Sequence, residues 1–238
     1  MDPIRLPDTL AELITKHARA DWRKRIKESC ITHHFAAGEV IFEEGTPADQ
    51  LYIVRKGKAK VFSTFGPGSA RILRFARDGQ VLGHRGIGED FTYTVSATAL
   101  EDSTVDAVPM PLFLDALKAN PALGFHFMLF LAEELRSSEA QAKAMLNLSV
   151  EQRVAKALLA TARCFGYDKD DRTLLAFTPS RHDLADYAGA TYESTIRALT
   201  VLQRRKLTKA VGRELRLLDA KGLEALLTGG RTSRPLRN

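Results

Sequence analysis

The stretch Thr178–Leu207, TPSRHDLADYAGATYESTIRALTVLQRRKL, decides the fold of the C-terminal part of this chain. Ser180 is a good N-cap residue, and Asp183 places negative charge near the positive end of the helix that follows. Gly189 is free to take the positive φ of a tight turn, and Thr191 can cap a second helix. The stretch therefore predicts a helix-turn-helix, with an ordinary helical hairpin as the alternative.

The second helix combines an apolar side with polar groups near its start. Ile196, Leu199 and Leu202 recur every three residues and are expected to point inward. Glu193 and Arg197 lie four residues apart, on one helix face. Glutamate can accept a hydrogen bond from cytosine N4, and arginine can donate two to guanine O6 and N7. A surface salt bridge is the alternative role of this pair, and the two roles are compatible.

Further basic residues follow the helix. The run Arg204–Lys206 precedes a predicted hairpin wing that extends to Leu218. Such a wing can place Lys209, Arg213 and Arg216 along a phosphate backbone. The residues predicted to contact DNA are Ser180, Arg181, Thr191, Tyr192, Glu193, Ile196, Arg197, Arg204 and Arg213.

The charge of the chain is concentrated in the same region. Residues 149–238 contain 17 Lys and Arg against 10 Asp and Glu, a net charge of +7, whereas the whole chain has +6. The remaining residues are therefore close to neutral, at −1. A basic domain joined to a near-neutral one indicates a polyanionic partner rather than general solubility charge.

Length and composition are those of a folded soluble protein with one large or two smaller domains. The chain has 238 residues, of which 45% are hydrophobic and 27% charged. The longest apolar run, around Leu123 to Ala132, is too short to span a membrane, and the N-terminus lacks a secretory signal pattern. Cys30 and Cys164 lie far apart and fit a reducing compartment. We expect a cytoplasmic protein with no membrane partner.

The N-terminal half consists of short β-type runs separated by glycines. This spacing predicts a small antiparallel barrel or roll, with a β-sandwich as the alternative. The predicted strands are Ile31 to Phe35, Glu39 to Phe42, Gln50 to Lys56, Lys58 to Phe65, Ala70 to Ala76 and Phe91 to Val108.

The segment FAAGEVIFEEGTPADQLYIVRKGKAKV, residues 35–61, resembles the opening of a cyclic-nucleotide-binding-type β-roll. Together with the helix-turn-helix, the chain from about Ile31 to Leu226 resembles the Crp/Fnr superfamily of bacterial transcription regulators. The resemblance implies an α+β fold with an antiparallel β-roll, a long dimerisation helix and a winged helix-turn-helix. We expect an N-terminal helix and sensor roll over residues 1–120, the dimerisation helix over 121–148, the DNA-binding domain over 149–228 and a disordered basic tail over 229–238.

The segment Pro121 to Leu148 carries a heptad seam, which buries best against another helix. Packing on its own β-domain is the alternative, and aromatic residues on the other faces allow both. The seam residues are Met128, Leu131, Leu135, Ser138, Ala142 and Met145. The resemblance implies a parallel homodimer with recognition helices about 34 Å apart that reads a pseudo-palindromic site. It also implies a TGA-like half-site core, of which Glu193 and Arg197 are expected to read a G·C-containing step.

The sensor segment departs from the pattern of cyclic nucleotide binders in this family. Those proteins carry a Gly-Glu pair for the ribose and, further along, an Arg-Ser or Arg-Thr pair for the phosphate. Here His84 follows Gly83, and Tyr93-Thr94 replaces the second pair, while Arg85 sits at the other end of the segment. A cyclic phosphate would lose its bidentate charged partner, so cAMP is not the expected effector. The predicted effector pocket comprises Gly83, His84, Arg85, Tyr93, Thr94 and Ser138.

Other cofactors are also not expected. Iron-sulfur members of the family use several N-terminal cysteines, whereas Cys30 is alone in this half, so a Cys-ligated cluster within one chain is excluded. Haem is not favoured, because a single loop histidine such as His84 is more often solvated than ligating. We predict no metal site and, for lack of catalytic motifs, no enzymatic activity.

The sequence thus predicts a homodimeric DNA-binding transcription regulator in which a signal in the roll, or its absence, resets recognition-helix spacing. The loop Phe165–Arg172 and the turn Gly66–Ser69 are candidate contacts to RNA polymerase by family analogy. Two alternatives remain. One is an effector-binding regulatory module that acts through protein contacts, and the other is an architectural DNA binder without sequence preference.

Overall fold

The computed structural model describes residues 9–66 and 69–228. It divides into two compact units, with the boundary between residues 139 and 140. This boundary falls inside a long helix, Pro121–Asn147, and each unit is described by itself. The predicted tail, residues 229–238, lies outside the described residues.

The β-domain of the first unit consists of two four-stranded antiparallel sheets among the described residues. The strands are β1 (Ile31–Phe35), β2 (Val40–Phe42), β3 (Gln50–Lys56), β4 (Lys58–Thr64), β5 (Ala70–Arg77), β6 (Val81–Leu82), β7 (Ser96–Ala99) and β8 (Ser103–Pro109). One sheet has the order β1-β8-β3-β6 and the other β2-β7-β4-β5. The predicted antiparallel roll is confirmed.

One predicted strand is wrong. The segment Phe91 to Val108 contains two strands, β7 and β8, which belong to different sheets. The chain bends between them at residues 100–102 as it passes from one sheet to the other. The bend carries Glu101 and Asp102, so the sequence does contain a polar interruption there, which the single predicted strand ran through. The short strand β6 was not predicted at all.

Helices close the roll and complete its core. They are α1 (Leu10–His17), α2 (Ala20–Ser29), α3 (Met110–Ala119) and α4 (Pro121–Asn147). Thr9 caps α1 by accepting a hydrogen bond from the Glu12 amide. Trp22 of α2 and Phe113 of α3 are buried in one cluster with Leu123 and Phe127 of α4 and the inner faces of the strands. The first turns of α4 therefore belong to the core of the roll.

The second unit is a small helical domain with a hairpin. Its elements are α5 (Val150–Phe165), α6 (Arg181–Ala188), α7 (Tyr192–Arg204), β9 (Thr208–Val211), β10 (Glu214–Leu217) and α8 (Ala220–Thr228). Ser149 and Gln152 form a reciprocal capping box at the start of α5. Leu158, Leu184, Leu202, Leu215 and Leu223 are fully buried. The amphipathic patterns of four helices and the wing thus converge on one core.

No helix among residues 9–66 and 69–228 has the length and apolar character needed to cross a membrane.

Candidate DNA interface and effector core

Helix α6 and its turn are built by local hydrogen bonds that the sequence encodes. Ser180 Oγ accepts a hydrogen bond from the Asp183 amide at 3.0 Å and donates one to Asp183 Oδ2 at 2.6 Å. Gly189 ends the helix in the left-handed region, with φ of 55° and ψ of 52°. Its amide donates to the carbonyls of Ala185 and Asp186. The chain can therefore reverse direction immediately before α7.

The start of α7 presents polar groups to solvent. Thr191 Oγ1 caps the helix by accepting from the Ser194 amide at 3.2 Å. Glu193 and Arg197 are exposed on one face. Within this described helix they form no ion pair with each other, and Arg197 Nη2 instead donates to Ser194 Oγ at 2.8 Å. The carboxylate of Glu193 is consequently available to an external hydrogen-bond donor.

The buried face of α7 differs from the prediction at one position. Thr195, Ala198, Leu199 and Leu202 are buried, whereas Ile196 is only half-buried. A helix repeats every 3.6 residues, so a face drawn through every third residue drifts off the core. Ile196 therefore lies at the edge between the core and the exposed face of α7.

Tyr192 and Arg181 flank this exposed face. The Tyr192 ring is 41% exposed, and its centroid lies 4.6 Å from that of the His182 ring in α6. Arg181 is half-buried at the first position of α6, and its burial lowers the pKa of its guanidinium. The two helices of the motif thus meet through side chains close to the predicted base-reading positions.

The basic residues of this unit fall into two groups. Arg204, Lys209 and Arg213 are exposed, the last at the tip of the β9–β10 hairpin beside Gly212. Arg216, by contrast, is held by carboxylates: its Nε lies 2.9 Å from Asp171 Oδ2, and its Nη1 lies 3.3 Å from Glu214 Oε2. Arg216 therefore braces the wing in this structure rather than extending into solvent.

In the roll, the predicted effector segment folds around a buried tyrosine. Gly83 adopts φ of 80°, and a Cβ at this position would come within 3.0 Å of the Tyr93 ring. The Tyr93 hydroxyl donates to the Gln50 carbonyl at 2.6 Å, and the ring stacks on Phe42 with centroids 4.3 Å apart. Burial raises the pKa of Tyr93. Tyr93 is thus part of the packed interior, whereas its neighbour Thr94 is exposed.

His84 and Arg85 instead face helix α4. His84 Nε2 lies 3.4 Å and Arg85 Nη2 lies 3.2 Å from one oxygen, Glu134 Oε2. Arg74 Nε of strand β5 lies 4.0 Å from the same oxygen. Burial raises the pKa of Glu134, but His84, Arg74 and Arg85 outweigh it and lower the pKa to about 2.

The His84 ring is one of the most buried polar groups of this unit, at 2% exposure. Among the described residues neither ring nitrogen makes a hydrogen bond, although Nε2 lies 3.4 Å from Glu134 Oε2. Burial lowers the pKa of His84, opposed by the nearby Glu134. The ring packs edge-on against Phe130, with centroids 5.3 Å apart.

Arg74 and Glu134 were not among the predicted pocket residues. One signal could have found Glu134: together with Phe127 and Leu131 it follows i, i+4, i+7 spacing, the face of α4 that packs on the roll. No comparable signal exists for Arg74, because an arginine on a strand is usually solvated. Ser138, which was predicted to line the pocket, is exposed one turn beyond Glu134.

The heptad seam of α4 is largely exposed in the single chain. Met128 is 55% and Leu135 62% exposed, and Ser138 and Ala142 are exposed as well. Leu131 packs partly against the roll, and Met145 is half-buried. Burying such an apolar seam is favourable, so the helix retains a surface that suits a partner helix.

Each of the two units described above contains a segment that matches a known domain family. Residues 32–120 match the cyclic nucleotide-binding domain, and residues 152–226 match the Crp-like helix-turn-helix domain. The order of the two domains, with a long helix between them, is the order predicted from the sequence. The chain belongs to the Crp/Fnr superfamily.

Relatives in this superfamily span most of the chain. The "Transcriptional activator protein anr" of Pseudomonas aeruginosa is 28% identical over 192 residues, which cover 81% of this chain and 78% of that protein. The "CRP-like cAMP-activated global transcriptional regulator" of Mycobacterium tuberculosis is 28% identical over 193 residues, covering 79% and 84%. The solved structure of FixK2 from Bradyrhizobium japonicum has a TM-score of 0.73 at 25% identity, covering 83% of this chain and 96% of that one.

Members of the Crp/Fnr superfamily are transcription regulators that bind DNA through the helix-turn-helix, and they are not enzymes. The predicted function as a DNA-binding transcription regulator is confirmed at this level. The similarity does not distinguish between effectors, since the cAMP-activated relative and the anr protein match at the same identity.

A separate cleft of about 500 Å³ lies on the outside of the roll. None of the six predicted effector-pocket residues lines it. Its lining residues are Pro47, Ala48, Asp49, Asp90, Phe91, Met110, Pro111, Leu114, Asp115 and Lys118. Among the described residues, no group of three His, Cys, Asp or Glu side chains is arranged to hold a metal ion.

Proposed function

We propose that this Crp/Fnr regulator binds a two-fold symmetric DNA site as a homodimer, with α7 as the recognition helix. One observation carries the proposal: Glu193 and Arg197 are exposed on one face of the first turns of α7 and are not paired with each other. These are the chemical groups that discriminate a G·C pair in the major groove. Tyr192 and Ile196, at neighbouring positions, complete the half-site contacts.

Phosphate contacts supply the remaining affinity. Arg204, Lys209 and Arg213 are exposed around α7 and the wing, where they can neutralise the backbone on either side of the groove. Ser180, Arg181 and Thr191, at the starts of the two helices, are assigned to backbone positioning. Arg216 is excluded from this group because Asp171 and Glu214 hold it.

The α4 seam is assigned to the dimer interface. Met128 and Leu135 are large, apolar and more than half exposed, which is the residue type that a parallel helix pair buries. Ser138 and Ala142 extend this seam with small side chains that allow close approach. The family resemblance implies that such a dimer presents two recognition helices about 34 Å apart, one turn of B-DNA.

We further propose that cAMP is not the effector. The packing of Tyr93 against Phe42 and its hydrogen bond to Gln50 support this view, because the residue replaces the arginine expected for a cyclic phosphate. Arg85, the remaining guanidinium of the segment, is engaged by Glu134. Neither group is thus available as the bidentate phosphate partner.

The expected setting is the bacterial cytoplasm, with RNA polymerase as a further partner. The loop Phe165–Arg172 exposes Lys169, Asp170 and Arg172 and is one candidate contact. The other candidate, the turn Gly66–Ser69, includes residues 67 and 68, which lie outside the described part of the chain.

The test is selection of bound duplexes from a random DNA pool by the purified full chain without added ligand. A recovered site with two-fold symmetry and a G·C step lost in Arg197→Ala supports the proposal. Equal binding of all sequences would indicate an architectural DNA binder. No binding by a folded dimer, with or without a panel of effectors, would favour a regulatory module that acts through protein contacts.

A further inference from the structure

Three nitrogen-bearing side chains of the roll surround a single carboxylate oxygen of helix α4. Arg74 from β5, together with His84 and Arg85 from the 3-10 turn His84–Gly86, all approach Glu134 Oε2, at 4.0, 3.4 and 3.2 Å. The three residues lie within one short stretch of the roll, whereas the carboxylate belongs to a helix about 50 residues further on. Arg85 Nη2 donates a hydrogen bond to this oxygen, and the Arg74 guanidinium and the His84 ring lie close enough to add favourable electrostatic interactions, so the three side chains together suit an anion.

Arg74 and His84 have contacts other than the Glu134 carboxylate. Arg74 Nη2 donates to the Val81 carbonyl, and His84 is fixed by burial and by the Phe130 ring. Gly83 in the left-handed conformation starts the turn that carries His84 and Arg85. Since these contacts do not involve the carboxylate, we expect Arg74 and the turn that carries His84 and Arg85 to stay in place when the carboxylate is removed.

Glu134 is a residue of α4, and its side chain is 23% exposed. Its position at the roll-facing edge of the helix means that the ion contacts connect the roll to the same helix that carries the dimer seam. The side chain at position 134 therefore influences how α4 packs against the sensor domain.

We propose that Glu134 is a built-in anionic ligand of the roll: its carboxylate occupies a site that otherwise takes a small free carboxylate, and thereby holds α4 in the DNA-binding arrangement without an added effector. The link to DNA binding rests on the proposed function above, whereas the anion site itself does not. The alternative is an ordinary structural ion pair, whose removal does not change DNA affinity and leaves no site that selectively binds acetate.

The first test measures the anion site without DNA. Glu134→Ala opens space for acetate beside Arg74, His84 and Arg85, whereas Glu134→Gln keeps the space filled but removes the charge. We expect sodium acetate to raise the thermal unfolding temperature of full-length Glu134→Ala above its value in sodium chloride of equal ionic strength. Glu134→Gln and the wild-type protein should show no such difference. Glu133→Ala is the matched control, since the Glu133 side chain is exposed and lies 3.8 Å from Arg136 on the same helix.

The second test measures the coupling to DNA on a site selected with the wild-type protein. We expect Glu134→Ala to bind this site between about 5-fold and 150-fold more weakly and to recover in acetate. Failure of acetate to stabilise folded Glu134→Ala selectively would overturn the anion site. Stabilisation by acetate with unchanged DNA affinity would overturn its role in holding α4. Failure of the wild-type protein to bind any DNA would count against the proposed function and leave the result of the first test standing.

Discussion

Arg153 of α5 reaches the turn of the helix-turn-helix: its Nη1 donates to the Gly189 carbonyl oxygen at 3.2 Å. The same nitrogen lies 4.0 Å from Met145 Sδ, near the end of α4. Gly189 has just left the helix, so its carbonyl has no intrahelical partner, and the guanidinium supplies one. Arg153 is thereby a link within the second unit between the last turns of α4 and the orientation of α6 relative to α7.

Replacement of Arg153 by Met should destabilise the helix-turn-helix. The variant keeps much of the aliphatic volume but leaves the Gly189 carbonyl without its charged donor, so we expect a loss of about 1.5–3 kcal/mol, the usual contribution of a hydrogen bond to a charged group. Urea unfolding monitored by circular dichroism measures this loss. Lys221→Met, which removes an exposed cation of the same unit, is the control and should change stability little. Equal stabilities of the two variants would show that the Arg153 contact contributes nothing.

Gly189→Ala should also be destabilising, for a different reason. Gly189 occupies φ of 55°, and an L-residue with a Cβ pays about 1–2 kcal/mol in the left-handed region. Asparagine tolerates this region better, so Gly189→Asn should lose less stability than Gly189→Ala. Thermal unfolding of both variants checks the order, and a more stable alanine variant would contradict it.

Arg197→Ala should change the sequence preference of DNA binding. We expect a loss of about 1–3 kcal/mol confined to duplexes that keep the G·C step, because the guanidinium reads base edges there. Lys209→Ala, on the wing, should instead weaken all sequences and reduce the slope of log affinity against log salt by about 0.9 per lost phosphate contact. Titrations of matched and mutated duplexes at several salt concentrations distinguish base reading by Arg197 from phosphate contact by Lys209. A uniform loss in Arg197→Ala would make it a phosphate contact.

Leu135→Glu should prevent dimerisation. Leu135 is 62% exposed in the single chain and lies at the centre of the predicted seam, so the substitution would bury two like charges against each other. Sedimentation velocity should detect a monomer. Ala140→Glu places the same charge on another exposed face of α4 and should leave the dimer intact. Dimeric Leu135→Glu protein would place the interface elsewhere.

Stability should fall at acid pH because of Glu134. Its pKa is about 2 in the folded chain against an ordinary value of 4.5, so its contribution is complete above pH 4.5 and is lost as the pH falls towards 2. The contribution is on the order of 3 kcal/mol at most, from 1.36 kcal/mol per unit of pKa. The pKa of buried His84 is also lowered, so protonation of His84 further reduces the stability as the pH falls below its ordinary pKa of 6.5. Urea midpoints across this range should therefore decline less steeply in Glu134→Gln than in the Glu133→Gln control.

The helix-turn-helix could be predicted residue by residue because its determinants are local. Ser180, Gly189 and Thr191 act through hydrogen bonds to partners three or four residues away, so the sequence contains both members of each contact. The exposed seam of α4 was also evident, since a heptad repeat specifies one helix face. The strand predicted over Phe91 to Val108 was wrong, because the sheet to which a strand belongs depends on pairing partners that are distant in sequence.

The sequence by itself thus determined the order of the two domains, the caps and turn that set α6 against α7, and the placement of Glu193 and Arg197 on one exposed face. Only the tertiary structure decided which charged groups are engaged. Asp171 and Glu214 hold Arg216, and Glu134 meets His84 and Arg85 across about 50 residues of chain. The physical reason is that caps and helix faces depend on neighbouring residues, whereas the pairing and burial of a charge depend on which distant segments the folded core brings together.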